Sequence, residues 1–337
     1  MIVKTPSDLD MLHDLVLQAD RPPGHGYVNL TFVDEYRNPC WDIPVDIKCF
    51  PAAFLAGFPK AGTTDLYRHL ILHPDIVYVK PKEPHFWVRS RHRQKNFTYY
   101  TKIYGNYFFN LSLTEPETAR QKIAIDASGS TIWDNQELFP EYMPYGYKDP
   151  PLLNVHYIKS ALPNTKWIII VRNPTQRMYS HYNFFCRNTS PEEFHRHVVD
   201  AVRKFKECLM NGTTLFCVYA KIHQNNKVFD RLRTGLYDFH IRQLVNAGYN
   251  RNQILVLQLE EYKVMKHEQL NKVFKFLGLR TLSENDLTSE EYPQAFYKGH
   301  YKPMLNESKE LLDDFYRPYN TDFARSFNID YNENVNR

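Results

Sequence analysis

Residues 54–65 read FLAGFPKAGTTD. An apolar run stops at Gly57, passes Phe58 and Pro59, and reaches Lys60-Ala61-Gly62-Thr63-Thr64. The stretch AAFLAGF (52–58) is short and wholly apolar, the pattern of a strand buried on both faces of a parallel sheet. TTDLYRHLIL (63–72) then places its apolar residues at helical spacing. A strand, a glycine loop and a helix in this order make an anion nest, because the first N–H groups of the helix have no partner within it. The Walker pattern for such a loop is G-x-x-x-x-G-K-[ST]. Gly57 and Gly62 keep the glycine spacing and Thr64 keeps the final hydroxyl, but Thr63 stands where the lysine belongs and Lys60 lies inside the loop. A Walker lysine extends to the β- and γ-phosphates. Lys60 addresses a group nearer the α-position, so the expected ligand has a single 5′-phosphate carrying one transferable group.

Further strands are expected at IVYV (76–79), KIAIDAS (122–128), KWIIIVR (166–172) and QILVLQLEEY (253–262). Helices are expected from about Thr175 to Phe185, from Ser190-Pro191 onward with the serine as cap, and up to Gly278. The C-terminal LLDDFYRPYNTDFARSF reads as helix, proline-broken turn, helix. Residues 1–50 contain RPPGHG and NPCWDIP and are expected to form an irregular lead-in. Residues 51–330 alternate strand and helix without repeats or linkers, which predicts one α/β domain with a central parallel sheet flanked by helices.

The strongest strand ends in IIIVRNPTQRMYSHY, with Arg172 at its carboxyl end and Ser180 eight residues later. Eight residues are just over two helical turns, so Ser180 returns to the starting face of its helix. An arginine at a strand end and a hydroxyl on the next helix can clamp a second phosphate. Two anion sites a nucleotide's length apart imply a bis-phosphorylated nucleotide.

The 337 residues carry 43% hydrophobic side chains, enough for a substantial core, and a net charge of only +4, which excludes a strongly basic nucleic-acid binder. A local basic stretch, KPKEPHFWVRSRHRQK (80–95), still suits an anionic ligand. No apolar run approaches the ~20 residues that span a bilayer, and the first residues lack the form of a signal peptide. Cysteine spacing and sequons point the other way. Cys40 with Cys49 and Cys208 with Cys217 fit two short disulfide loops, with Cys186 left over; five free thiols are the alternative. N-x-S/T sequons stand at Asn29, Asn96, Asn110, Asn188, Asn211 and Asn306. Together these predict a lumenal protein whose membrane contact, if any, runs through an N-terminal anchor outside this chain.

PKAGTT (59–64) resembles the 5′-phosphosulfate loop of sulfotransferases that use 3′-phosphoadenosine 5′-phosphosulfate (PAPS), and VRNPTQRMYSHY resembles their 3′-phosphate motif. The resemblance implies the P-loop-like sulfotransferase fold, with Lys60, Ala61, Gly62, Thr63, Thr64, Arg172 and Ser180 holding PAPS. KEPHFW (82–87) is similar to the segment of glycosaminoglycan sulfotransferases whose glutamate is the base, which assigns Glu83 that role beside Lys60 and His85. SGSTIWDN (128–135), EEFHRHV (192–198), CLMNGTTLFCVY from 208, GLYDFHIRQL (235–244), VFKFLGL (273–279) and PMLNESKELLDDFYRPYN (303–320) resemble the N-acetylgalactosamine 4-sulfate 6-O-sulfotransferases of the Golgi. The acceptor so implied is 4-sulfated galactosamine in chondroitin or dermatan sulfate. KGHYKP (298–303) is similar to a K-G-R-T-H-P loop of heparan sulfate 3-O-sulfotransferases, which would add Lys298, Gly299 and His300 to the donor site, with histidine in place of arginine. Those enzymes also have a lysine after the acid of the third strand, where this chain has Asp126-Ala127-Ser128, so that lysine's role does not transfer.

The scheme needs no metal. Partial burial is expected to raise the Glu83 carboxyl, checked by Lys82 and His85. Arg89, Arg91 and Arg93 are expected to line a groove for a sulfated polymer. His195 and His197 stand at a spacing that does not suit a helix-borne metal pair. Alternative functions are transfer to a heparan-type or other glycan, a catalytically inactive glycan-binding relative, and a nucleoside kinase. A kinase would place its lysine after Gly62, and an inactive binder would have lost Lys60 or Glu83.

Overall fold

Strand β3 (Ala53–Gly57) is buried along its whole length, as its uninterrupted apolar sequence requires. The structure is a computed structural model describing residues 32–41, 47–93, 96–186, 190–221, 228–287, 301–329 and 331. β3 pairs in parallel with β4 (Ile125–Asp126) on one side and with β5 (Lys166–Val171) on the other, and β5 pairs in parallel with β6 (Ile254–Gln258). The order is β4-β3-β5-β6. The chain therefore leaves β3 toward one edge and returns through β5 toward the other. The crevice outside the carboxyl ends of β3 and β5 is a topological switch point, where sheets of this kind place ligands. Phe54 stacks on Trp167 across the β3–β5 pair, with ring centroids 4.8 Å apart.

Helices cover the sheet with the capping chemistry their sequences carry. Asn173 accepts from Gln176 N at the start of helix Pro174–Phe185, and Ser190 accepts from Glu193 N at the start of Pro191–Asn211. Helix Lys266–Leu277 ends on Gly278 at φ +75°, as expected.

Four expectations change. The segment 76–79 forms no ladder; it makes one bridge, Ile76 to Ile123, before the chain reaches Pro81, which has no N–H to offer a sheet. The strand expected over 122–128 shortens to β4 because Ala127 N turns to Lys82 O and Ser128 N to the Asp126 carboxylate. The strand expected over 253–262 ends at Gln258, and Glu260 and Glu261 enter the first turn of helix Leu259–Val264, where acidic residues are favoured. The C-terminal segment is one helix, Asn306–Phe327, with Pro318 inside it. An interior proline costs about 3 kcal/mol. Burial of Leu312, Phe315, Tyr316 and Phe323 on one side of that helix, at about 1.5–3 kcal/mol each, outweighs it.

Ahead of the sheet, β1 (Cys40–Trp41) and β2 (Lys48–Cys49) form an antiparallel pair closed by the Cys40–Cys49 disulfide. Asn38 stitches this pair to the sheet edge, accepting from Ala124 N and donating to Lys122 O. A second disulfide, Cys208–Cys217, ties the last turn of helix Pro191–Asn211 to helix Thr214–Tyr219. Cys186 is in neither. No helix among the described residues is long and apolar enough to cross a membrane.

Candidate active site

The loop after β3 is held at both ends. Phe58 N donates to Ile170 O of β5, and Ala61 N turns back to Phe58 O. Lys60 sits at φ +67° and Gly62 at φ +96°. A Cβ on Gly62 would lie 2.7 Å from Leu259 Cδ1, the movable end of a side chain, so the backbone angle more than the space calls for glycine. Gly62 caps helix Thr63–Leu70, whose first intrahelical bond is Leu66 N to Gly62 O. The N–H groups of residues 63–65 thus precede that bond at a helix N-terminus, the arrangement that binds phosphate. Thr63 is buried and Thr64 is exposed.

The two sequence motifs meet here. Arg172 Nη1 donates to Lys60 O at 3.3 Å, and Tyr237 OH donates to Arg172 O at 2.8 Å. Burial, and then the Arg172 charge, hold the Lys60 ammonium below its usual range. Its Nζ lies 3.9 Å from the ring centroid of Phe184. Ser180, buried, is on that same helix, Pro174–Phe185. Its neighbour Tyr179 donates to Lys302 O at 2.7 Å and packs on Tyr301. Lys298, Gly299 and His300 lie outside the described residues; Tyr301 and Lys302, which follow them, dock on Tyr179.

Glu83 stands in a compact polar cluster. Its Oε1 is 2.5 Å from Lys82 Nζ and its Oε2 is 3.2 Å from His85 Nε2. Lys82 Nζ also reaches Thr64 Oγ1 at 3.3 Å, which joins the carboxylate to helix Thr63–Leu70. Ser128 and Ser130 fix His85: Ser128 Oγ accepts from its backbone N, and Ser130 Oγ lies 2.7 Å from Nδ1. The sequence expectation of a raised carboxyl reverses. Burial pushes Glu83 up, but the His85 hydrogen bond and the Lys82 ammonium outweigh it and hold the carboxyl down at about 2. Asp126, at the end of β4, is buried behind this cluster, accepting from Tyr100 OH and Ser128 N.

The Sulfotransferase domain family matches residues 50–314. The chain belongs to the sulfotransferase family. This sulfotransferase is 31% identical over 305 residues to carbohydrate sulfotransferase 15 of Homo sapiens, covering 83% of this chain and 54% of that protein. It is 24% identical over 321 residues to bifunctional heparan sulfate N-deacetylase/N-sulfotransferase 1 of Xenopus laevis, covering 86% and 33% respectively. The chain spans about half the length of the human, mouse and rat carbohydrate sulfotransferase 15 relatives it matches. Among solved structures it is similar to a sulfotransferase from Alicyclobacillus acidocaldarius, with TM-score 0.54 and 19% identity over 84% of this chain and 98% of that one. That likeness bears on the fold alone.

The three arginines of the basic stretch part company in the sulfotransferase. Arg89 Nε donates to the buried Asp134 at 2.8 Å. Arg91 turns inward, bonding Trp87 O and Asn154 Oδ1 and lying over the Tyr157 ring, so it braces the turn. Arg93 is exposed. His195 and His197 go to different partners, Ser308 Oγ and Tyr182 OH. Sequence reasoning missed a buried polar group behind Lys60. Arg177, fully buried, contacts His181 Nδ1 and donates to Arg231 O. The second arginine of RNPTQR, on a helix with a buried face, was the available signal for it.

Proposed function

We propose that this sulfotransferase moves a sulfuryl group from PAPS to a sugar hydroxyl, with Glu83 as base. The observation that carries this is the Lys82 bridge: one ammonium contacts both Glu83 and Thr64, so the carboxylate stands beside the loop suited to the 5′-phosphosulfate. The glycine cradle at Gly62 and the Lys60–Arg172 contact fit a nucleotide with phosphates at both ends. Ala61, Thr63 and Ser180 complete the donor set, with Lys298, Gly299 and His300 assigned from sequence alone.

In the step proposed, the acceptor oxygen forms a bond to sulfur as the bond from sulfur to the bridging phosphate oxygen breaks. The hydroxyl proton passes to Glu83, and adenosine 3′,5′-bisphosphate leaves with the electron pair. Lys60 and the N–H groups of residues 63–65 face the charge gathering on the leaving phosphate. If sulfuryl transfer resembles the loose transfer of phosphoryl groups, bond cleavage runs ahead of attack, and the hydroxyl becomes acidic late. An already ionised carboxylate can then serve as base despite its low affinity for protons.

The acceptor proposed is the 6-hydroxyl of 4-sulfated N-acetylgalactosamine in chondroitin or dermatan sulfate. The carbohydrate sulfotransferase 15 relatives and the heparan sulfate enzyme among the matches support a carbohydrate acceptor, and the particular sugar and hydroxyl rest on the motif resemblance. The two disulfides fit a Golgi lumenal setting. Residues 51–330 would form the catalytic domain and 1–50 its lead-in. The test is transfer from radiolabelled PAPS to chondroitin 4-sulfate, dermatan sulfate, desulfated chondroitin and heparan sulfate. Label at the 6-position of 4-sulfated galactosamine supports the reading; label confined to heparan sulfate overturns the acceptor and leaves the transfer chemistry.

A further inference from the structure

Two separate stretches of chain, 82–89 and 126–134, are zipped together around Glu83. Ala127 N donates to Lys82 O at 3.3 Å. His85 N donates to Ser128 Oγ at 2.9 Å, and Ser130 Oγ lies 2.7 Å from His85 Nδ1. Arg89 Nε closes the far end on the Asp134 carboxylate at 2.8 Å. Beyond it, Asp134 and Arg231 stand in the wall of a cleft of about 360 Å³. The stretch 126–134 has anchors of its own. Ser128 N donates to Asp126 Oδ1 at 2.8 Å, and Tyr100 OH to Asp126 Oδ2 at 2.7 Å. Thr131 Oγ1 donates to Ser128 O at 2.8 Å, and Trp133 N and Asp134 N donate to Ser130 O. Ser128 and Ser130 are buried. Their hydroxyls are fixed points against which His85 is held.

His85 needs that hold. Its φ of +48° lies in the left-handed region, which costs a residue with a Cβ about 1–3 kcal/mol and persists where the surroundings over-determine it. Its main chain is gripped at both ends, N by Ser128 and O by the N–H groups of Arg89 and Ser90. Its ring is gripped by two side chains, Ser130 at Nδ1 and Glu83 at Nε2. The proton positions follow. Glu83, held down at about 2, is ionised at neutral pH, and an ionised carboxylate only accepts. The Nε2 that faces it, 3.2 Å from Oε2, therefore carries its hydrogen. In the neutral ring Nδ1 is then the acceptor and Ser130 donates to it. In the charged ring Nδ1–H donates and the same hydroxyl accepts, so Ser130 holds the ring in either state. Both ring nitrogens are used in this way, and His85 acts on Glu83 rather than on a sugar hydroxyl.

We propose that Ser130 is a positioning residue for the transfer: through His85 Nδ1 it fixes the imidazole whose Nε2 sets the direction of the Glu83 carboxylate. The proposal rests on the reading of Glu83 as base. The carboxylate is held at two points. Lys82 ties Oε1 to Thr64, at the start of helix Thr63–Leu70, and His85 ties Oε2 to Ser130, beyond β4. One arm thus ends after β3 and the other after β4, neighbouring strands of the sheet. A base must stand within hydrogen-bond reach of the proton it takes, and a misplacement of about 1 Å can cost about 10²-fold. Without the Ser130 arm the ring is free to turn about its side-chain torsions and Oε2 to swing with it, while the Lys82 arm stays. A serine that did no more than satisfy a buried nitrogen would change stability and leave the rate of transfer alone.

The test is a double-mutant cycle of Ser130→Ala and His85→Ala, read by transfer from labelled PAPS to chondroitin 4-sulfate. Calorimetric binding of adenosine 3′,5′-bisphosphate and thermal melts run beside it. Ser130→Ala is expected to lower kcat at least tenfold, with acceptor KM and nucleotide affinity within about twofold of wild type. In the His85→Ala background the same change is expected to cost less than about twofold, because Ser130 acts through that ring. Thr131→Val, which loosens the same stretch at Ser128 O, is expected to lower the melting temperature and leave kcat within about twofold. An unchanged kcat in Ser130→Ala, a loss confined to KM, an equal loss in both backgrounds, or an equal loss in Thr131→Val overturns the inference. Glu83→Gln keeps the two readings apart. If it alone is impaired, the base stands and Ser130 does not position it; if it transfers as fast as wild type, the base reading falls and this inference with it. Should wild type label none of the acceptors, the contact is judged by nuclear magnetic resonance of the His85 ring nitrogens, assigned by their loss in His85→Ala. A shift of both Nδ1 and Nε2 in Ser130→Ala supports a hold that reaches Glu83, and an unmoved Nε2 overturns it. Should Ser130→Ala not fold, Ser130→Cys, whose thiol bonds more weakly, takes its place in the cycle and is read the same way.

Discussion

The ammonium of Lys60 rests 3.9 Å from the centre of the Phe184 ring. The loop lysine is thereby held by a residue more than a hundred positions away, on the helix that carries Ser180. Exposed cation–π contacts contribute about 0.5–1 kcal/mol. Phe184→Leu is therefore expected to reduce single-turnover transfer by a few-fold, and Lys60→Ala by about 10²–10³, the cost of losing a main charge-stabilising donor. Rapid-quench measurement with labelled PAPS separates the two; equal losses would remove Lys60 from the chemistry.

Glu83→Gln is expected to abolish most transfer while adenosine 3′,5′-bisphosphate binds as before. The side chains it touches, Lys82 and His85, remain to shape the site. A parallel loss of nucleotide affinity, seen by calorimetry, would assign Glu83 to donor binding instead.

The folded Glu83 carboxyl lies at about 2, below its ordinary value of 4.5. A depressed carboxyl stabilises the fold above its unfolded value, and that contribution fades as pH falls from about 4.5 toward 2. Its own acid limb in kcat/KM should therefore lie below pH 4. Removing the Lys82 ammonium by Lys82→Met takes away one of the causes of the depression, so the acid limb should move to higher pH. A pH profile of initial rates in both proteins checks this, and an unmoved limb would show that Lys82 does not tune the base.

Gly62→Ala meets two penalties. The clash falls on the far end of the Leu259 side chain and can be relieved, but φ +96° cannot. A loss of about 1–3 kcal/mol of stability is expected, with weakened nucleotide binding. Adding Leu259→Ala to Gly62→Ala should recover none of the backbone part. Thermal melts of both variants, with and without nucleotide, test the division.

Breaking the Cys208–Cys217 bridge opens a loop of sequence separation 9 and should cost roughly 2–3 kcal/mol by the chain-entropy account. Melting of a Cys208→Ser, Cys217→Ser double variant measures it, and an unchanged Tm would remove the bridge from the stability of the fold.

The central sheet and the loop were readable because buried parallel strands are continuous apolar runs and because glycine spacing records backbone geometry. AAFLAGF and KWIIIVR gave β3 and β5 almost to the residue. The edge was harder. IVYV has strand composition, yet Pro81 and a single bridge at Ile76 decide its state. Pro318 looked like a break, and only tertiary burial around it keeps the helix whole. In the site, Lys60, Arg172 and Glu83 were visible as motif positions. The sign of the Glu83 shift was not, because it depends on distances to His85 and Lys82. Arg91 looked like its neighbours in sequence and differs from them only by facing Asn154. Asp134 stands in the SGSTIWDN motif and Arg231 in none; folding alone brings the two into the wall of one cleft.

The Arg172–Lys60 bond spans 112 residues of chain, and the register of β3 with β5 spans a similar distance. Parallel partners so far apart make slow contacts, because a long loop must close before any pairing offsets it. During synthesis the loop 58–62 emerges well before the strand that braces it. At about 5–20 residues per second it waits several seconds with its apolar strand uncovered. That interval, more than the finished molecule, is when the chain is most open to aggregation and most in need of a chaperone.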